Sequence, residues 1–138
     1  MYQNLQQYRK NDVVTANQGR LIVMLYDGLM KQIDLGTAEL NKTHPQLDVA
    51  HNALTKAQEI LNELQISLDL EQGGPIAQNL LSLYRFFSRT LMEANIHKNS
   101  DRLPMMRQQI SDLRDAWAEV QGTPLTAPKQ TAGVNIAG

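Results

Sequence analysis

The sequence contains no cysteine, few aromatic residues and no excess of charge of either sign. The lack of cysteine excludes disulfides, thiol catalysis and cysteine-ligated zinc, and favours a reducing compartment such as the cytosol. Thirteen basic and 14 acidic residues give a net charge of −1, so no overall field attracts nucleic acid or an anionic membrane. We therefore expect a cytosolic protein that does not bind nucleic acid.

Long hydrophobic runs are also missing. No apolar stretch approaches the roughly 20 residues that span a bilayer, so membrane insertion is not expected. The first residues, MYQNLQQYRKNDVV, lack the apolar core of a signal peptide. A chain of 138 residues is expected to form one domain that buries roughly 68% of its unfolded surface.

Apolar residues at helical spacing predict two helices in the first half of the chain. The first runs from about 17 to 42, with Asn17 as its N-cap, and ends before Pro45. The second runs from about 47 to 70 and has the clearest pattern, with one apolar and one polar face.

Two further helices are predicted in the second half. Gly73 and Gly74 permit a positive-φ turn, and Pro75 suits the first turn of a helix that runs to about 97. Ser100 or Asp101 then serves as the N-cap of a fourth helix. Four helices of roughly 20–25 residues with short connections predict an all-α fold, an antiparallel up-down four-helix bundle.

The ends of the chain lack this strong pattern. Residues 1–16 are polar but include Leu5 and Tyr8, whose spacing suits a short amphipathic segment or helix that docks on the bundle. Residues 17–121 are predicted to form the bundle itself. Residues 122–138 contain two prolines and no periodic pattern, and are predicted to be a disordered tail.

Candidate catalytic and ligand-binding residues are few. Glu93 and His97 are four residues apart and have no second copy, so a polar helix end is favoured over a metal site. His51 offers a phosphotransfer histidine, although it lies in the first turn of its helix. Arg85 and Arg89 are interpreted as part of a solvated face. No phosphate-binding loop or activated serine is recognisable, so the sequence indicates neither an enzyme nor a cofactor.

The first helix has more apolar surface than a bundle requires. Its segment 21–30 reads LIVMLYDGLM, and the apolar positions continue beyond it at helical spacing, which excludes a strand. One apolar face comprises Ile22, Leu25, Tyr26, Leu29 and Ile33. A second comprises Leu21, Met24, Gly28 and Leu35.

Two interpretations of this second face are open. The helix is either the central element of an unequal bundle, or its second face forms part of a groove for a partner helix. Gly28, which costs about 1 kcal/mol relative to alanine in a helix, is expected to mark a point of close packing.

Six short motifs resemble the flagellin-specific export chaperones of the FliS family. They occur in order and at plausible spacing over roughly residues 5–120. The chain departs from the family pattern before the first helix, where members often have a proline and this sequence has Ala16-Asn17-Gln18. The motifs are LIVMLYDG (21–28), KAQEILNEL (56–64), Gly73-Gly74, NLLSLY (79–84), LMEANI (91–96) and LRDAW (113–117).

This resemblance implies a cytosolic chaperone without ATPase activity. Such proteins bind the disordered C-terminal segment of flagellin, prevent its premature polymerisation and deliver it to the flagellar type III secretion apparatus. Other flagellar regulators are possible additional partners. The client is expected to place short helices in apolar grooves of the bundle.

The resemblance also implies roles for individual residues. The N-terminal segment acts as a movable cap, a role that we carry to Leu5 and Tyr8. Four residues of the first helix are expected to line or support the partner-binding surface: Ile22, Leu25, Tyr26 and Leu29. Two alternatives are open, a phosphotransfer bundle that uses His51 and a structural domain whose N-terminus permanently seals the core.

Overall fold

A computed structural model describes the backbone of residues 12–122 and the side chains of residues 18–120. Within that part of the chain all regular structure is helical, and the predicted all-α four-helix bundle is confirmed. The helices are α1 (Asp12–Leu40), α2 (Leu47–Ile66), α3 (Leu70–His97) and α4 (Leu103–Gly122).

The first helix begins earlier than predicted. Helix α1 starts at Asp12, so Asn17 lies inside the helix and is not its N-cap. Residues 12–17 contain neither proline nor glycine, so nothing in this stretch stops the helix from extending toward the N-terminus. The predicted cap segment and disordered tail fall largely on residues 1–11 and 123–138, which lie outside the described residues, and both stay predictions.

The predicted glycine turn lies within α3. Asp69 caps the start of this helix, because its Oδ1 accepts hydrogen bonds from the backbone N–H groups of Glu71 and Gln72 at 3.2 and 3.1 Å. Gly74 then adopts φ 55° and ψ −137°, which kinks the helix before Pro75. A side chain would strain this backbone conformation, so glycine is required here.

The loops at one end of the bundle are tied together. Ser100 Oγ, in the α3–α4 connection, donates to Asn41 Oδ1 in the α1–α2 connection at 2.6 Å. The fourth helix begins only at Leu103, so neither Ser100 nor Asp101 is its N-cap. Because the α1–α2 and α3–α4 connections lie at the same end of the bundle, the helices alternate in direction as predicted.

Helix α1 is the best-packed element of the bundle. It lies against α2 on one side and α4 on the other, while α2 also packs against α3. Helices α3 and α4 share the fewest backbone contacts of the neighbouring pairs. The largest fully buried side chains come from all four helices: Tyr26, Leu29, Ile33, Leu54, Leu61, Leu64, Tyr84, Phe87, Leu91, Leu103, Met106 and Ile110.

Two buried tyrosines join α1 to α3 through the core. The hydroxyl groups of Tyr26 and Tyr84 form a hydrogen bond, and their rings lie 6.4 Å apart at 57°. Burial raises the pKa of Tyr84 to about 12 and the pKa of Tyr26 well above its usual range. Both hydroxyls therefore remain protonated in the folded protein at neutral pH.

The close contact between α1 and α2 lies at Gly36. A Cβ at Gly36 would come within 2.8 Å of Leu54 Cδ2, and Leu54 is fully buried. A Cβ at Gly28 would meet only Ile60 Cδ1 among the described residues, at an ordinary 3.5 Å. No described residue packs closely on Gly28, and the tight contact between α1 and α2 lies about two turns further along, at Gly36.

Replacing these two glycines by alanine should have opposite effects. Gly36→Ala should lower the free energy of unfolding by about 1–3 kcal/mol, because overpacking against Leu54 outweighs the gain in helix propensity. Gly28→Ala should raise it by up to about 1 kcal/mol, because the extra methyl fits. Urea unfolding followed by circular dichroism measures both. Equal shifts of the two midpoints would contradict this description of the α1–α2 contact.

The tyrosine pair predicts a double-mutant cycle. Tyr26→Phe or Tyr84→Phe alone should lower the free energy of unfolding by about 1–3 kcal/mol, because each leaves one buried hydroxyl without its partner. The double variant should be within about 1 kcal/mol of the parent chain, since no hydroxyl is left unpaired. Additive single effects would show that the two hydroxyls do not interact.

The same pair predicts a dependence on alkaline pH. Tyrosines in the unfolded chain ionise near pH 10, whereas the raised folded pKa values keep both hydroxyls protonated. The resulting stability is present below about pH 10 and is lost as pH rises toward about 12. The double phenylalanine variant should lose less stability between about pH 9 and 11, measured by urea unfolding at each pH.

Candidate partner-binding surface

The four residues predicted on α1 lie at different depths. Tyr26 and Leu29 are fully buried, and Ile22 is 5% exposed. Leu25 is partly buried and packs against the same core. These side chains are placed to support a surface from beneath, and their part in partner binding stays a prediction. Leu5 and Tyr8 lie outside the described residues.

The second apolar face of α1 reaches the solvent. Met24 is 61% exposed and Leu35 is 49% exposed, although both are large apolar side chains. Gly28 and Lys31 lie between them at spacings of four and three residues, so all four share one side of the helix. We call these four residues the α1 outer face. Within the described bundle, therefore, neighbouring helices do not enclose α1 on all sides.

Gly28 forms a notch in the α1 outer face. It places no side chain between Met24 and Leu35, and the nearest group beside it is the partly buried Ile60 of α2. A partner side chain that enters this notch would contact apolar atoms from both helices. Aliphatic side chains of moderate size suit such a site, since their burial is favourable and needs no polar partner.

A cleft of about 400 Å³ borders the same face on the side of α4. Met30 and Leu35 provide apolar wall, and Lys31 provides a positive charge for which no ion pair is found within the described residues. The other lining residues are Asp27, Asp34 and Arg107.

Two bidentate ion pairs hold α4 beside this cleft. Arg107 donates to Asp34 through Nε and Nη2 at 3.0 and 3.1 Å. Arg114 donates to Asp27 through the same two atoms at 2.8 and 3.4 Å. All four side chains are at least one-third exposed, so the pairs add little stability but fix the rotation of α4 against α1.

The histidines show no arrangement that suggests catalysis. His51 is exposed, and its Nδ1 lies within 3.3 Å of the amide group of Asn95 while Nε2 is 3.5 Å from Thr55 Oγ1. Glu93 and His97 line an open cleft of about 450 Å³ with Arg102. In the described part of the chain, no three histidine, aspartate or glutamate side chains gather as metal ligands.

Sequence reasoning missed two of the most exposed apolar residues. Ile96 is 67% exposed and Met105 is 74% exposed. Phe86 and Met92, which the sequence places off the central stripe of α3, are 44% and 49% exposed. Ile96 falls off that stripe in the same way, and Met105 directly precedes the buried Met106, so helical spacing could have separated both from the core.

No helix within residues 12–122 is long and apolar enough to cross a membrane.

Comparisons of the sequence with known proteins identify flagellar proteins as relatives. The family model described as "Flagellar protein FliS" matches residues 1–124. The flagellar secretion chaperone FliS of Bacillus subtilis is 30% identical over 112 residues, which cover 81% of each chain.

Two further relatives have comparable identity to this chain. The flagellar secretion chaperone FliS of Salmonella typhimurium is 33% identical over 109 residues, 78% of this chain and 79% of that protein. The protein of the same name from Escherichia coli is 30% identical over 108 residues, 78% of each chain. On the family match and these identities, the chain belongs to the FliS family of flagellar proteins.

Proposed function

We propose that this protein is a cytosolic export chaperone for flagellin. In this proposal it binds the disordered C-terminal segment of newly made flagellin, prevents premature polymerisation and delivers the subunit to the flagellar type III secretion apparatus. The relatives are named flagellar secretion chaperones, which supports the class of function. The observation that carries the binding role is the exposed apolar α1 outer face, with Met24 and Leu35 in solvent.

The α1 outer face suits an amphipathic helix that forms on binding. Met24 and Leu35 are 11 residues apart, so they lie about 16 Å apart along the helix axis, which is about three turns of a client helix. A disordered client gains apolar burial there and loses conformational entropy as it orders. Such binding needs no nucleotide, since the free energy comes from the contact itself.

Charge at the border of this face favours a client helix that has an acidic side chain beside its apolar stripe. Lys31 is exposed between the apolar residues, and Asp27 and Asp34 are already paired with arginines of α4. An acidic side chain beside the apolar stripe of the client would therefore meet an available cation at Lys31. This arrangement contributes mainly to specificity, because an exposed pair is worth little free energy.

The N-terminal segment completes the proposal as a movable cap. Leu5 and Tyr8 would cover apolar surface in the free protein and leave it when the client binds. Ile22, Leu25, Tyr26 and Leu29 would hold that surface in shape from within α1, as their burial suits. A cap of this kind weakens the apparent affinity, because only the fraction of molecules with an open cap can bind the client.

Charged substitutions on the α1 outer face should weaken client binding. Met24→Glu with Leu35→Glu should raise the Kd for a flagellin C-terminal peptide about tenfold or more, because two carboxylates would have to be buried against apolar groups. Isothermal titration calorimetry measures the Kd, and the parent chain should show a negative heat-capacity change.

A matched variant controls for non-specific effects of charge. Leu47→Glu with Ile66→Glu adds the same two negative charges at similarly exposed apolar residues of α2, at 48% and 44%, and should leave the Kd within about twofold. No binding by the parent chain would refute the proposed function. Equal weakening by the α1 and α2 variants would refute the assignment of the client to α1.

Removal of residues 1–11 separates a movable cap from a permanent seal. The truncated chain should stay folded and bind the flagellin peptide as tightly as the full chain or more tightly, since no cap has to be displaced. Thermal unfolding by circular dichroism and peptide titration provide the two measurements. Loss of the folded bundle would instead support the structural alternative, in which the N-terminus seals the core.

A further inference from the structure

Sulfur in this chain occurs only in methionine side chains. The sequence has no cysteine and six methionines. A mild two-electron oxidant therefore forms no disulfide or sulfenic acid here, and its sulfur product is methionine sulfoxide. Oxidation converts a flexible apolar side chain into a polar one, so its effect depends on where each thioether lies.

The described methionines divide into an exposed group and a covered group. Met24 on α1 is 61% exposed, Met92 on α3 is 49% exposed and Met105 on α4 is 74% exposed. Met30 is partly buried, and Met106 is 1% exposed within the core. Susceptibility to oxidation follows exposure, so an oxidant in solution should reach the first three while Met106 and the fold remain intact.

Within the exposed group, only Met24 lies on the α1 outer face. Met92 belongs to α3, which is diagonal to α1 in a bundle of this order. Met105 precedes Arg107 by two residues, which is about 200° around α4. Because Arg107 faces Asp34 of α1, Met105 lies on the opposite side of α4. The three exposed thioethers thus share one chemistry, and Met24 alone is placed to affect client binding.

The helix leaves Met24 accessible to small molecules. Side chains on a helix incline toward its N-terminus, so a residue one turn later covers the surface beside Met24. That residue is Gly28, which has no side chain. Asp27, three residues after Met24, is held by Arg114 of α4. The glycine notch that would admit a client side chain therefore also admits a small oxidant.

We propose that Met24 is a reversible oxidation site that controls client binding. This inference rests on the proposed function, because it concerns the same α1 outer face. With the thioether reduced, the face is apolar at both ends and binds the client helix. With the sulfoxide, the Met24 end becomes polar and the client dissociates more readily.

The forward step transfers one oxygen atom and two electrons. The sulfur of Met24 attacks an oxygen of a peroxide, so that an S–O bond forms and the O–O bond breaks. With hydrogen peroxide, the departing hydroxide takes the remaining proton and leaves as water. The sulfur is oxidised to the sulfoxide, and the peroxide is reduced.

The reverse step requires a dithiol reductant. Methionine sulfoxide reductases, one for each epimer at sulfur, return the thioether. Two thiols become a disulfide, and the sulfoxide oxygen leaves as water. Because this chain has no cysteine, the electrons must come from those enzymes and their dithiol.

The sulfoxide opposes binding because its oxygen is a hydrogen-bond acceptor. Under an apolar client side chain, that oxygen would lose its hydrogen bonds to water. The contact at Met24 would then cost free energy where the thioether gained it by burial. Leu35, about three turns further along α1, would be left as the main exposed apolar contact of this face.

Controlled oxidation of the full chain tests the proposal. Hydrogen peroxide is applied until peptide mass mapping shows the three exposed methionines oxidised and Met106 intact, and is then removed. The Kd for a flagellin C-terminal peptide, measured by isothermal titration calorimetry, should rise at least about fivefold. Circular dichroism should show an unchanged fold. Both reductases with a dithiol should return the Kd to within about twofold of its starting value.

Leucine variants assign the effect to one sulfur atom. Met24→Leu keeps a similar volume and apolar character but cannot be oxidised in this way. Whatever its starting value, the Kd of this variant should change less than about twofold on peroxide treatment. The matched control, Met92→Leu with Met105→Leu, removes the other two exposed thioethers. It should bind like the parent chain and lose affinity on oxidation as the parent chain does.

The outcomes separate this inference from the proposed function. A parent chain that does not bind the peptide before oxidation would overturn both. A parent chain that binds equally well before and after oxidation of Met24 would overturn the inference alone. An undiminished loss of affinity in Met24→Leu would also overturn it, since the effect would then come from another residue.

Discussion

The close approach of α1 and α2 at Gly36 is the constraint on which the rest of the bundle depends. Leu54 occupies the space that a side chain at this position would need, and it is fully buried. This contact fixes the rotation of α1 about its own axis. With that rotation set, Tyr26, Leu29 and Ile33 point into the core, and residues on the far side of the helix are left in solvent.

Polar contacts then specify how the other helices surround α1. The hydroxyl pair of Tyr26 and Tyr84 joins α1 to α3 through the core, where an unpaired hydroxyl would be costly. On the surface, the ion pairs of Arg107 and Arg114 fix α4 against α1. No comparable pair joins α3 to α4 within the described residues, which is consistent with the sparse contact between them.

Much of the fold could be predicted from the sequence, because helical periodicity reports burial directly. The four apolar stripes were predicted in this way. The glycine pair Gly73 and Gly74 separately indicated a positive-φ turn, and Gly74 adopts that conformation. The start of α1 was not, because Asn17 is a good cap residue but does not terminate a helix when helix-compatible residues precede it. The close contact at Gly36 was not predicted either, since it depends on how α2 lies across α1.

The candidate surface was only partly predictable, because the sequence does not show how neighbouring helices lie against each other. Periodicity separates one face of a helix from another, but it cannot say which face a neighbouring helix covers. Within the motif LIVMLYDG (21–28), Ile22 and Tyr26 lie in the core, whereas Met24 is exposed. A family motif therefore includes residues that stabilise the fold as well as residues on the surface.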